Sequence, residues 1–374
     1  MNNNFQSAWI DVSRAALRHN FGAVQALVGP NVQTIAVVKA NAFGHGAGET
    51  AQTLQEAGAD FFAVTTPAEA IELREAGITG RILVFLPPLP EQIEALLTAN
   101  CDITVCDSAT VSAVAEAARQ QGVTAAVQLK VDTGMGRLGA LPDEALVIAR
   151  QIASSPSLCL AGIYTHFAKA LEKDEVATRR QFAVFQKMLA ELGTHQINPG
   201  LRHCANSAGL LRFPEMRLDA VRPGTILYGQ YPSAAMPRSV KLEETWRMSA
   251  RIVSVRALPS GSALGYGGEF VTRRPSKIAV LPVGYADGFT TAPSSASKGL
   301  RGLRQLLRPA PVTVTVRGKR APVVGRVAMQ TCLIDVTDIP DVCAGDRVIV
   351  PARRLMASAG LPRFFAEQLD ERNE

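Results

Sequence analysis

Cysteine is scarce in this chain and badly placed for structural use. Six occur in 374 residues, at Cys101, Cys106, Cys159, Cys204, Cys332 and Cys343, and no two form a C-x-x-C pair. That scatter excludes a disulfide framework, provides no metal site, and fits reduced thiols in a cytosol. Long apolar runs are also missing. No stretch approaches the roughly 18 residues of a membrane-spanning helix. The opening Met1-Asn2-Asn3-Asn4-Phe5-Gln6 has neither a basic n-region nor an apolar h-region, so no secretion signal is expected and a cytoplasmic location is. Charge of one sign is not concentrated enough for nucleic acid. The net charge is +6, spread along the chain, with one local cluster between Lys298 and Arg320. A small anionic substrate or cofactor is enough to account for so mild a bias.

What is present is the composition of a globular enzyme, 47% hydrophobic and 19% charged. The length exceeds one ordinary core, so two domains are expected. Trp9-Ile10-Asp11-Val12 reads as a short strand, followed by a helix capped by Ser13. From Thr34, strand-like runs recur at 34–39, 61–64, 82–86, 103–105, 127–131, 160–165, 201–205 and 219–222. Helical segments fall between them, several opening on Pro, Asp or Ser and several closing near Gly. Eight strands alternating with helices predict an α/β fold with an N-terminal (β/α)8 TIM-type barrel over 1–238. The first strand, near 7–12, is a candidate to pair with the second domain instead. Beyond residue 238, β-branched runs punctuated by Pro and Gly predict a mainly β C-terminal domain over 239–374. Within it, 300–308 reads as a short amphipathic helix on a solvated loop.

One stretch organises the rest. Thr34-Ile35-Ala36-Val37-Val38 is a buried-strand pattern that delivers Lys39 at its carboxyl end. A buried ammonium is expensive, so such a lysine is either salt-bridged or chemically used, as in imine formation with a carbonyl. In a barrel the active site gathers at the carboxyl ends of the strands. There the other strands supply Lys130 and Arg137, Thr165-His166, Asn206-Ser207, and Arg222-Pro223-Gly224-Thr225. Taken singly, each has a bland explanation: a surface arginine, a core histidine, a helix cap. Their convergence on one rim is harder to explain by packing. Asn206-Ser207 before a helix and Gly224-Thr225 in a second loop resemble a phosphate cradle. A lysine beside a phosphate site points to pyridoxal phosphate, with a sugar-phosphate substrate as the alternative.

With these motifs in this order, the chain resembles the alanine racemase family. The residues that carry the resemblance are Val38-Lys39-Ala40-Asn41-Ala42-Phe43-Gly44-His45-Gly46, Lys130 through Gly139, Thr165-His166-Phe167-Ala168, Asn206-Ser207-Ala208, Arg222-Pro223-Gly224 and Tyr228-Gly229. In the second domain they are Gly265-Tyr266-Gly267, Val283 through Gly288, and Gly325-Arg326-Val327-Ala328-Met329. The resemblance implies a pyridoxal-phosphate enzyme that interconverts L- and D-alanine, a source of D-alanine for peptidoglycan, working as a head-to-tail homodimer with no membrane or nucleic-acid partner. Lys39 would hold the cofactor and act as base on one face of Cα, with Tyr266 of the other subunit serving the opposite face. His166 and Arg137 would assist that phenol, which is a poor base at its ordinary pKa of about 10. Asn206, Ser207, Gly224 and Thr225 would hold the phosphate, and Arg222 the pyridine nitrogen. Arg137, Met329 and Tyr285 would bind substrate, and Lys130 would be carbamylated. No metal is implied.

The chain departs from the family pattern in four places. Phe43 stands where a tyrosine hydroxyl usually reaches the phosphate, Gln330 follows Met329 in place of an aspartate, and Leu171 replaces another. No tyrosine follows Tyr285. The alternatives are a broad-specificity racemase, a fold-related decarboxylase, and a non-catalytic cofactor-binding protein. Tyr266 and Met329 argue against the last, because a carrier needs no second acid–base group.

Overall fold

The computed structural model describes residues 6–290 and 312–369. The expected helix at 300–308 lies outside them. Two compact units emerge, one spanning Ala15–Glu244 and the other combining residues up to Arg14 with those from Thr245 onward.

In chain order the elements begin with β1 (Ala8–Ser13), α1 (Arg14–Val28), β2 (Gln33–Val37), α2 (Lys39–Gly44), α3 (Ala47–Glu56), β3 (Phe61–Val64), α4 (Pro67–Glu75), β4 (Arg81–Val84), α5 (Pro90–Thr98) and β5 (Asp102–Val105). They continue with α6 (Ser108–Gln121), β6 (Ala125–Lys130), α7 (Pro142–Ala153), β7 (Leu158–Tyr164), α8 (Val176–Thr194), β8 (Leu201–Asn206), α9 (Ser207–Arg212) and β9 (Ala220–Arg222). Strands β2 to β9 close into a parallel barrel, as the alternation predicts. Local chemistry sets the helix ends. Pro67, Pro90 and Pro142 occupy first helical turns, where a missing N–H costs nothing. Asp107 caps α6, and Gly122 ends it in the left-handed conformation.

One part of the barrel interior is packed by Ile35, Val37, Phe61, Ala63, Leu83 and Ala220, with Phe43, Phe85 and Leu201 against them. Burying a side chain such as Phe61 contributes on the order of 1.5–3 kcal/mol. The barrel unit runs past the expected residue 238 because Asn20 on α1 ties the chain near Glu243 to the barrel. Its Nδ2 donates to the carbonyls of Leu227 and Glu243, and its Oδ1 accepts from the Glu243 amide.

The other unit is mainly β. It contains β10 (Trp246–Arg251), β11 (Ser254–Leu258), β12 (Ala263–Leu264), β13 (Phe270–Val271), β14 (Ser276–Leu281), β15 (Thr313–Val316), β16 (Lys319–Val324), β17 (Cys332–Asp335), β18 (Arg347–Val350) and β19 (Arg363–Ala366). Nine strands form one sheet in the order β11-β14-β17-β16-β15-β18-β10-β1-β19. β1 pairs antiparallel with β10 and parallel with β19. Its buried Trp9, Ile10 and Val12 make it a core strand of this unit.

Candidate active site

Lys39 lies just past β2 and opens an unusual turn. Ala40, Asn41, Ala42 and Phe43 all have φ between 50 and 54°. A left-handed non-glycine residue costs about 1–2 kcal/mol, so four in succession need outside support. Asn41 Oδ1 accepts from the Ala47 amide at 2.8 Å. Glu69 Oε1 accepts from the Ala40 amide at 2.6 Å. The same carboxylate closes the capping box of α4 through the amides of Thr65 and Thr66.

The turn directs Lys39 into a cavity of roughly 510 Å³ at the carboxyl ends of the barrel strands. Lys39, Lys130, Arg137, His166, Asn206, Ser207, Arg222, Gly224 and Thr225 all line it. All nine barrel residues expected at the site are thus brought together. Among the described residues Lys39 Nζ has no hydrogen-bond or ion-pair partner. Burial lowers its pKa, Arg137 lowers it further, and Glu69 acts in the opposite direction. Lys130 is held to about 8 by burial, then by Arg137 and Arg222. Burial, with the neighbouring cations behind it, pushes His166 down to about 3. At about 3, the His166 ring is neutral at neutral pH.

Arg222 is buried at the end of β9. Its Nη1 meets His203 Nδ1 at 2.6 Å, and its Nη2 donates to the carbonyls of Thr165 (2.6 Å) and Cys204 (3.2 Å). Burial lowers its pKa to about 10, which leaves it charged at neutral pH. Its Nε–H has no partner among the described residues. Beside it, Asn206 caps α9 by accepting from the Gly209 amide. Ser207 Oγ accepts from the Gly224 amide at 2.9 Å, leaving the hydroxyl hydrogen for a ligand. A Cβ on Gly224 would stand 2.9 Å from Phe43 Cζ, so any larger residue there would have to displace that ring. Phe43 itself packs on Tyr228, with ring centroids 4.8 Å apart.

Arg137 rides on a loop shaped by Asp132, whose carboxylate collects the amides of Gly134, Met135 and Gly136. The guanidinium is exposed and makes no ion pair among the described residues. Leu171, one of the family departures, also lines the cavity.

Sequence reasoning missed the supports. Gln181 on α8 accepts from the Ala168 amide and donates to the His166 carbonyl, fixing the end of β7. Tyr164 stacks flat on His203, centroids 4.9 Å apart and planes at 6°. Polar letters inside apolar strand runs were the available signal for His203 and its neighbours.

Tyr266, Tyr285 and Met329 belong to the other unit. They are exposed to 69%, 49% and 58%. The Tyr285 and Met329 loops interlock, since the Tyr285 and Ala286 amides donate to the carbonyls of Ala328 and Met329.

Comparison with known proteins shows the same division. A family model described as alanine racemase, N-terminal domain, matches residues 12–232, and one described as alanine racemase, C-terminal domain, matches 245–360. An alanine racemase of Desulforamulus reducens is 42% identical, over 91% of this chain and 89% of its own. Alanine racemase 1 of Caldanaerobacter subterraneus is 39% identical, over 91% of this chain and 84% of its own. Among solved structures, the alanine racemase of Clostridium difficile 630 superposes with a TM-score of 0.89 at 29% identity, covering 99% of this chain and 97% of that one. That of Bacillus anthracis with bound L-Ala-P gives 0.83 at 30% identity, covering 97% and 95%.

Proposed function

The chain belongs to the alanine racemase family, and from that premise we propose that it interconverts L- and D-alanine with pyridoxal phosphate, using Lys39 and Tyr266 of the partner subunit as its two acid–base groups. The observation that carries this reading is the unpaired, desolvated Lys39 amine in a cavity shared with an anion cradle and a buried guanidinium. Those residues fit the cofactor. Asn206, Ser207, Gly224 and Thr225 would hold its phosphate, and the free Nε–H of Arg222 would meet its ring nitrogen. What pyridoxal phosphate supplies when bound is an electron sink that acidifies the substrate's Cα–H.

The protein's own part comes from position and charge. Arg137, exposed and unpaired, takes the alanine carboxylate, with the Met329 amide and Tyr285 of the partner subunit as further substrate contacts. A guanidinium keeps its proton, so Arg222 would leave the ring nitrogen without one and would limit side reactions. Lys39 Nζ removes the Cα proton on one face, and Tyr266 Oη returns one on the other; the reverse direction exchanges their roles. Lys130, with its amine half neutral near pH 8, is the group that carbon dioxide would carbamylate beside Arg137.

The homodimer is part of the proposal. Three large side chains, Tyr266, Tyr285 and Met329, stand exposed on loops of the β unit, the pattern of a surface that a second copy covers. The location proposed is the cytoplasm; no described helix is long and apolar enough to cross a membrane.

The test is incubation of the cofactor-loaded protein with L-alanine in deuterated water. Deuterium entering Cα together with loss of optical rotation supports the reading. Exchange with retained configuration defeats the two-base scheme, and no exchange favours a cofactor-binding protein.

A further inference from the structure

A line of buried polar side chains leaves the active site from its far side. Arg222 Nη1 meets His203 Nδ1 at 2.6 Å. His203 Nε2 meets Gln128 Oε1 at 3.1 Å. Gln128 Nε2 donates to Asp102 Oδ2 at 2.7 Å, and Arg81 Nη2 donates to the same oxygen at 2.5 Å. Five strands contribute one residue each: β9, β8, β6, β5 and β4. The line runs from the carboxyl end of β9 to the amino ends of β5 and β4. His203 and Gln128 are fully buried, Arg222 and Asp102 nearly so.

The direction of every bond is fixed. A guanidinium can only donate, so His203 Nδ1 accepts and Nε2 carries the hydrogen. That hydrogen goes to the carbonyl oxygen of Gln128, whose amide then donates to the Asp102 carboxylate. Burial and the cations Arg222 and Arg81 hold His203 far below its ordinary pKa, which keeps the ring neutral. Two further features serve the geometry. The Tyr164 ring lies flat on His203, and its hydroxyl is pinned to Thr104 at 2.9 Å. A Cβ on Gly162 would stand 2.3 Å from Gln128 Oε1, so the glycine makes room for that amide.

A barrel interior needs no such line for packing, and leaving any member unsatisfied would be expensive. We propose that Gln128 and Asp102 are positioning residues for Arg222, acting through the His203 tautomer to aim the free Arg222 Nε–H into the cavity. This rests on the reading that Arg222 serves the cofactor ring. With Gln128 gone, the buried Nε2–H loses its acceptor, and the preference for that tautomer rests on Arg222 alone. When Nδ1 carries the hydrogen, it confronts Arg222 Nη1 donor to donor and displaces the guanidinium.

The test is Gln128→Met in the cofactor-loaded enzyme, with 15N spectra of its imidazoles and steady-state kinetics. The chain has five histidines, so His203 is assignable by a His203→Gln control. The wild type is expected to show His203 as the neutral Nε2–H tautomer, unchanged between about pH 5 and 9. The variant is expected to show mixed tautomers, with kcat lowered by up to about 100-fold and KM for alanine nearly unchanged, because Arg137 is untouched. An unchanged tautomer, or unchanged kcat in a folded variant, overturns the proposal. If Gln128→Met does not fold, Asp102→Asn decides: it keeps shape and an acceptor, and a kcat equal to wild type overturns the proposal while a fall at constant KM supports it. If the wild type does not racemise alanine, the cofactor reading fails, and the imidazole spectra alone decide whether Gln128 sets the tautomer.

Discussion

The Glu69 carboxylate holds the amide of Ala40 at 2.6 Å, although the two residues lie on different helices of the barrel. The contact ties the left-handed turn after Lys39 to the first turn of α4. One side chain therefore both caps a helix and braces the turn that follows Lys39.

Glu69→Ala removes the acceptor for three amides, those of Ala40, Thr65 and Thr66. Amide bonds to a charged group and a lost capping box together put the expected loss at about 2–4 kcal/mol. Urea denaturation of the cofactor-free protein measures it. Cofactor uptake is expected to weaken as well, because Ala40–Phe43 loses its main external support.

Phe43→Tyr is expected to gain function. The ring packs beside Gly224 in the cavity wall, so a para hydroxyl would extend toward the phosphate cradle. One charge-assisted hydrogen bond is worth about 1–3 kcal/mol. The expected result is a lower Kd for pyridoxal phosphate, read by fluorescence titration, with little change in kcat.

Lys130 gives a pH dependence. Its folded pKa of about 8 lies below the ordinary 10.5. Between those values the unfolded chain binds a proton that the folded one does not, so this group's contribution to stability rises with pH there. Below pH 8 the penalty of a charged buried amine is fully present. Cofactor-free Lys130→Met in buffer free of carbon dioxide is therefore expected to melt above wild type below pH 8, with the gap closing towards pH 10.5. With 13C-labelled bicarbonate, a carbamate carbonyl signal is expected in the wild type and not in the variant.

Arg222→Glu tests the proposed contact with the cofactor ring. A carboxyl in that place would share a proton with the ring nitrogen, strengthening the electron sink and opening transamination. Pyruvate released per racemisation turnover is expected to rise. The variant is also expected to be less stable by about 3–5 kcal/mol, since it breaks a buried hydrogen-bonded network.

Much of this was legible in the chain, and the limits have physical causes. The barrel could be read because each strand and helix announces itself by local periodicity, turn chemistry and caps. The rim residues could be read because they stand at the ends of those strands. The turn at Ala40–Phe43 could not, because none of its four residues has a side chain that favours positive φ strongly enough to signal it; a contact from Glu69 imposes it. Thr66-Pro67-Ala68-Glu69 does announce a capping box, but nothing local says that the same carboxylate serves Ala40. The line through His203, Gln128 and Asp102 was visible only as polar letters in apolar strands. The sequence makes the first strand a candidate for the second domain, and it does pair there, but its particular partners, β10 and β19, lie far away in sequence and no periodicity encodes them.

The central claim is that each site draws one acid–base group from each of two subunits. Mixing Lys39→Ala with Tyr266→Phe after reversible dissociation tests it directly. Each parent is expected to be nearly inactive. A mixed dimer would carry one doubly defective site and one intact site, so random mixing should restore about a quarter of wild-type racemase activity. Mixtures no more active than the parents would contradict the account.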